Sequence, residues 1–178
     1  MSEIYNKLTI VGTDEQIKEV IEFIRSTTGK DDEPMHIDFN TIIEMPSSLN
    51  IEFTYESDVA RQFLYEDSFY QQGASRLEAW RMFQTVEGDK EKHIEFAIQI
   101  QENLQKTGHA FGHDWKQTYW GMKENASSQT LEAPNVITFQ TKGAPASKVI
   151  AELASIFNDV KFMHQYTVEK DYAYSLPF

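Results

Sequence analysis

Asp114–Ala126 reads DWKQTYWGMKENA, and it packs two of the three tryptophans, Trp115 and Trp120, together with Tyr119, Gly121, Lys123 and Asn125. Helical periodicity precedes the stretch and strand alternation follows it, so it reads as the junction where a helical block returns the chain to a sheet. Tryptophans bury large apolar areas where helices meet a sheet, which makes core packing the first expectation for Trp115 and Trp120. Aromatics of this kind also anchor interfaces, so Trp115, Tyr119, Trp120, Lys123 and Asn125 stand as candidate binding residues. Taken as a strand, the segment would set Trp120, Met122 and Glu124 on one face and Tyr119, Gly121, Lys123 and Asn125 on the other.

Upstream, Ile4–Val11 alternates Ile4, Asn6, Leu8 and Ile10 against Tyr5, Lys7, Thr9 and Val11, the pattern of a strand with one well-buried face. Gly12 ends it. Thr13-Asp14-Glu15-Gln16 then forms a capping box, and Ile17, Val20, Ile21 and Ile24 follow at helical spacing, with Gly29 as a stop. His36–Glu44 reads as a short strand closing at Met45-Pro46. From Ser57 to Gly108 the pattern is helical. One helix is capped at Ser57 or Asp58 and carries Val59, Phe63 and Leu64. A second is capped at Ser75 and carries Leu77, Trp80 and Phe83. A third begins near Lys90, with Ile94, Ala97, Ile98, Gln101 and Leu104 on one stripe and Phe96 and Ile100 on another.

Downstream, Asn135–Thr141 is a strand, Ser147 caps a helix bearing Val149, Ile150, Leu153, Ile156 and Phe157, and Val160–Val168 is a strand. A last short strand is expected in Ala173–Leu176. The order predicts an α+β fold, a ferredoxin-like antiparallel sheet made of two split β-α-β halves. Residues 1–178 form one domain in this reading. Ile42–Met45 ends the first half, 135–168 supplies the second, and a helical insertion over 57–108 lies between the halves.

Several short blocks support that arrangement independently. NKLTIVG at 6–12, FNTIIEMP at 39–46, WGMKENA at 120–126 and FQT at 139–141 with Pro145 before a helix resemble, in order and spacing, a family of phage- and plasmid-borne proteins. That family, typified by the plasmid protein YubB, is described as ferredoxin-like and of unknown function. The resemblance implies a fold and a mobile-element context, and it carries no activity.

The net charge of −12 is uneven: residues 1–89 hold 18 acidic and 7 basic side chains, residues 90–178 hold 10 and 9. A nucleic-acid binder ordinarily shows a basic stripe that replaces counterions on phosphates, so direct nucleic-acid binding is disfavoured. With no cysteine, disulfides, thiolate metal sites and cysteine nucleophiles are all excluded. No apolar run reaches the length of a membrane span and MSEIYNKLTIVG lacks the basic and apolar regions of a secretory signal, so a cytoplasmic protein with no membrane partner is expected.

No catalytic constellation emerges. Gly12 before a helix lacks the further glycines and the Lys-Ser/Thr pair of a phosphate loop, and Asp14 and Glu15 would repel phosphate there. There is no Gly-x-Ser-x-Gly elbow, and the carboxylate runs Asp31-Asp32-Glu33 and Glu66-Asp67 read as solvated loops. His109 and His113 have the i,i+4 spacing of helical metal ligands, yet Gly108 and Gly112 argue against a rigid helix and the catalytic Glu of HExxH is missing. No cofactor motif is present.

The reading that remains is a non-enzymatic protein-interaction module with a protein partner of unspecified identity and oligomeric state. Its sharper form uses Glu44, Glu52, Glu56, Asp58, Glu66 and Asp67 as an acidic surface that imitates nucleic-acid phosphates and occupies a basic host protein. The alternatives are a single-stranded nucleic-acid binder using sheet aromatics and a metal-dependent enzyme using His109 and His113.

Overall fold

A computed structural model of the chain describes residues 2–26, 35–66 and 75–168. The chain divides into two compact units, Met1–Met45 with Lys116–Phe178, and Pro46–Trp115. The expected strand over Ala173–Leu176, the stop at Gly29 and the carboxylates Asp31, Asp32, Glu33 and Asp67 lie outside the described residues.

The first unit is an α+β structure whose four-stranded antiparallel sheet has the order β2-β3-β1-β4. Strand β1 (Glu3–Val11) pairs with β3 (Val136–Lys142) on one side and β4 (Lys161–Thr167) on the other, and β2 (Ser127–Ala133) pairs with β3. The alternation in β1 has its expected consequence: Ile4, Leu8 and Ile10 are buried, and their cross-strand neighbours include Ile137 and Phe162. Helix α1 (Asp14–Ile24) starts at the expected capping box, with the Thr13 hydroxyl accepting the Gln16 N–H and the Gln16 side chain accepting the Thr13 N–H. Helix α7 (Ser147–Ile156) buries Val149, Ile150 and Leu153.

The expected strand over His36–Glu44 is a turn of helix instead, α2 (Phe39–Ile42). The reason is local and long-range at once. Asp38 caps the turn by accepting the Asn40 N–H, and the Ile37 and Phe39 N–H groups bond to the side chains of Gln129 and Asn125, so no ladder partner is needed. The sheet's second strand in chain order is therefore β2, which has no clear apolar alternation because it is an edge strand whose SSQTLEA side chains are mostly exposed. Two register shifts against β3 and a positive φ at Ser128 break its regularity. The helical block thus falls, in sequence, between α1 and β2.

The second unit is helical: α3 (Tyr55–Tyr65), α4 (Arg76–Gln84) and α5 (Lys90–Thr107), preceded by a 3-10 turn at Ser47–Leu49. Thr54, not Ser57 or Asp58, caps α3, and Ser75 caps α4 in a capping box with Glu78. Val59, Ala60, Phe83 and Ala97 form one core cluster, and Ile100, Ala110 and Phe111 form another with Ile51, Phe53 and Leu104. Helix α5 buries Ala97, Ile100 and Asn103, while Ile98, expected on its buried stripe, is exposed. Asn103 is tolerated inside because its amide donates to the carbonyls of Ser48 and Ala110. Helix α6 (Gly112–Tyr119) carries the chain out of this unit. Among the described residues no helix is long and apolar enough to cross a membrane.

Candidate functional site

The junction stretch is helical at its start and turned at its end; it is not a strand before Ser127. Trp120 is 2% exposed. Its indole N–H donates to the Ile43 carbonyl at 2.9 Å, its ring meets Phe39 edge-on at 5.8 Å, and the Lys116 ammonium lies 5.2 Å over it. Phe39 in turn meets Phe139 of β3 edge-on at 6.0 Å. Asn125 is half-buried and its atoms all work: Oδ1 accepts the N–H groups of Phe39 and Ala126, and Nδ2 donates to Asp38 Oδ1. Gln129 closes the same seam by bonding both the N–H and C=O of Ile37. Gly121 has φ +87, a left-handed turn that glycine adopts without a Cβ penalty. Trp115 is buried as well, whereas Tyr119 and Lys123 are exposed. The five candidate binding residues are thus split between a packed seam and solvent.

A second polar seam lies under the start of α7. Asn6, buried in β1, donates to Ile4 O and Thr141 Oγ1 and accepts from the Ala146 N–H at the head of α7. That bond replaces a side-chain cap, since Ser147 is the first helical residue and not the cap expected of it. His164 Nε2 meets Asn6 Oδ1 at 2.9 Å, which makes the ring the donor. Burial of the His164 imidazole lowers its pKa to about 4. The opposite sheet face carries Tyr5 with Lys7 and Thr9, both buried, and with Thr138, Gln140 and Gln165 on the neighbouring strands.

His109 and His113 do not converge with a third donor; no group of three His, Asp or Glu positioned for a metal exists among the described residues. His109 Nδ1 bonds the Thr107 carbonyl at 2.9 Å, and His113 is exposed, stacked on Phe111 and 3.1 Å from Asp114.

The acidic candidates also separate. Glu44, Glu52 and Glu66 are exposed and Glu56 is half-buried. Asp58 is a correction: it is 0% exposed, 3.8 Å from an equally buried Arg61 one turn on in α3, and so belongs to the interior of the helical unit and not to an acidic surface.

Helix α4 supplies what the sequence reading missed. Leu77, Trp80 and Phe83 were the apolar residues expected on this helix, but burial selects Ala79 and Phe83, leaving Leu77 56% and Trp80 47% exposed. At about 100° per residue, Leu77, Trp80 and Arg81 fall together on the outer side of the helix. Leu77 and Trp80, with Phe63 and Arg76, line a groove of about 520 Å³. The helical wheel held the signal, because Ala79 and Phe83 are four apart and Leu77 lies off their line. A larger groove of about 640 Å³ runs along α1 between Asp14, Ile17, Lys18, Ile21, Pro134 and Asn135, without convergent acid–base groups.

No protein-family model, curated protein or solved structure matches this chain.

Proposed function

We propose that this chain is a non-enzymatic protein-interaction module, a ferredoxin-like sheet of the YubB-typified phage and plasmid family whose inserted helical unit makes the contact. Supporting the ferredoxin-like reading, β1 and β2 flank β3, β3 and β4 flank β1, and all neighbours are antiparallel. Helix α1 follows β1 and α7 joins β3 to β4, which supports reading the chain as two β-α-β halves with the helical unit inserted in the first. The blocks around Trp120 and Asn125 support the family reading, since they are also the residues that stitch α2 to the turns before β2.

The observation that carries the interaction reading is the exposure of Leu77 and Trp80 side by side on α4. A tryptophan left half in water beside a leucine and an apolar groove is the composition of an interface anchor. The test is affinity capture by the full chain against its Leu77→Ser/Trp80→Ser variant, with folding checked by circular dichroism. A stoichiometric partner retained by the wild type and lost by the variant supports the reading; identical recovery by both sinks it.

The acidic-mimic form is a second reading, favoured by the twelve acidic against six basic residues of Pro46–Trp115. It rests on Glu44, Glu52, Glu56 and Glu66. Glu52→Gln/Glu56→Gln/Glu66→Gln should release a basic nucleic-acid-handling protein while leaving any Trp80-dependent partner bound; release of neither removes this form.

A further inference from the structure

The outer side of α4 differs in charge from the rest of its unit. Arg76 and Arg81 bracket Leu77 and Trp80, in a chain with a net charge of −12. Arg76 is held in place, its Nε donating to the Phe63 carbonyl at 2.6 Å, and this sets the guanidinium at the rim of the groove, with no partner for its terminal nitrogens among the described residues. Arg81 and Trp80 are exposed, and neither the Arg81 guanidinium nor the Trp80 indole N–H has a hydrogen-bond partner among the described residues. The acid nearest this face in sequence, Glu78, accepts from the Ser75 hydroxyl and N–H through one carboxylate oxygen in the capping box, and these bonds, with a smaller contribution from the Arg81 charge, hold its pKa below the ordinary value. The face therefore presents donors around an apolar centre, and what complements it is an apolar side chain set among carboxylates.

We infer that α4 docks an acidic amphipathic segment of another protein, its apolar side chain entering the groove of Phe63, Leu77 and Trp80 while flanking carboxylates pair with Arg76 and Arg81. The inference rests on the interaction reading and adds the chemistry of the partner. A single-stranded nucleic acid would also offer anions and stacking faces, but the surplus of acids in this unit repels a continuous phosphate chain, whereas a short segment needs only the two arginines.

The experiment is fluorescence anisotropy with the full chain and three labelled probes: a synthetic peptide with leucine and phenylalanine anchors flanked by glutamates, the same peptide with glutamines, and an oligothymidylate. The glutamate peptide should bind at least about tenfold tighter than the glutamine peptide at low salt, with the gap narrowing as salt rises. Arg76→Gln/Arg81→Gln should erase that gap, Arg76→Lys/Arg81→Lys should keep part of it, and Trp80→Ser should abolish binding of both peptides. Equal binding of the two peptides, both lost with Trp80→Ser, overturns the acidic chemistry and leaves the docking face intact. Tighter binding of the oligothymidylate reassigns the face to nucleic acid, and self-association that Trp80→Ser removes and the peptide cannot displace reassigns it to a second copy. If no probe binds, the inference is overturned; the capture experiment above then decides separately whether α4 is an interface at all.

Discussion

Trp120 and Trp80 are the same side chain put to opposite uses. In the sheet unit, Trp120 has both requirements of a buried indole met, apolar rings against its faces and a carbonyl for its N–H. In the helical unit, Trp80 has neither among the described residues: its helix already covers the core with Ala79 and Phe83, and the indole is half-exposed beside Leu77. The difference teaches that an aromatic signals function through what it leaves unsatisfied. The aromatic-rich stretch Asp114–Ala126 drew attention by density, yet density there reflects a seam that must be filled and hydrogen-bonded.

The contrast can be broken most severely at Trp120. Trp120→Ala should cost about 3–5 kcal/mol in urea denaturation, enough to unfold a marginal domain. A cost under about 1 kcal/mol would show that the packed seam does not hold the sheet unit. Next, Asn125→Ala removes three hydrogen bonds at once: the Phe39 and Ala126 N–H groups lose their acceptor, and Asp38 Oδ1 keeps the Asn40 N–H and loses the Asn125 amide. A loss of about 2–4 kcal/mol follows if those groups find no water.

The third is a pH effect on the neighbouring seam under α7. The folded pKa of His164, about 4, lies below the unfolded value, so the unfolded chain binds the extra proton first. Stability from this site is complete above about pH 6.5 and is lost progressively as pH falls toward about 4, on the order of 3 kcal/mol in all. His164→Gln keeps a donor for Asn6 Oδ1 and should flatten that part of the profile; an unchanged slope would remove His164 as its source. Smallest is Trp80→Ser, which should shift stability by no more than about 0.5 kcal/mol while changing binding. A large destabilisation there would place Trp80 among the packed residues and erase the comparison.

Local chemistry made much of the architecture readable. The capping box at Thr13, the cap at Ser75, the stop at Gly108 and the alternation of β1 each depend on neighbours within a turn or on a two-residue period, and each stands where it was expected. The failures share a different cause. His36–Glu44 looked like a strand because Ile37, Phe39 and Ile43 alternate, but Asn125 and Gln129, far along the chain, satisfy its backbone and allow a helical turn. Strand β2 was invisible because an edge strand with exposed side chains carries no apolar period.

The sequence by itself determined the class of fold, the helical middle, the acidic balance and the absence of thiol chemistry, since these follow from composition and from periodicities shorter than a helix turn or two. Tertiary structure decided which of the apolar residues on α4 face the core, that Asp58 is interior, and that Asn6 caps α7 from across the sheet. A helix with apolar residues on two sides can bury either one, and the choice belongs to the surface it packs against. That is why Trp80 became a candidate contact and Trp120 a structural one.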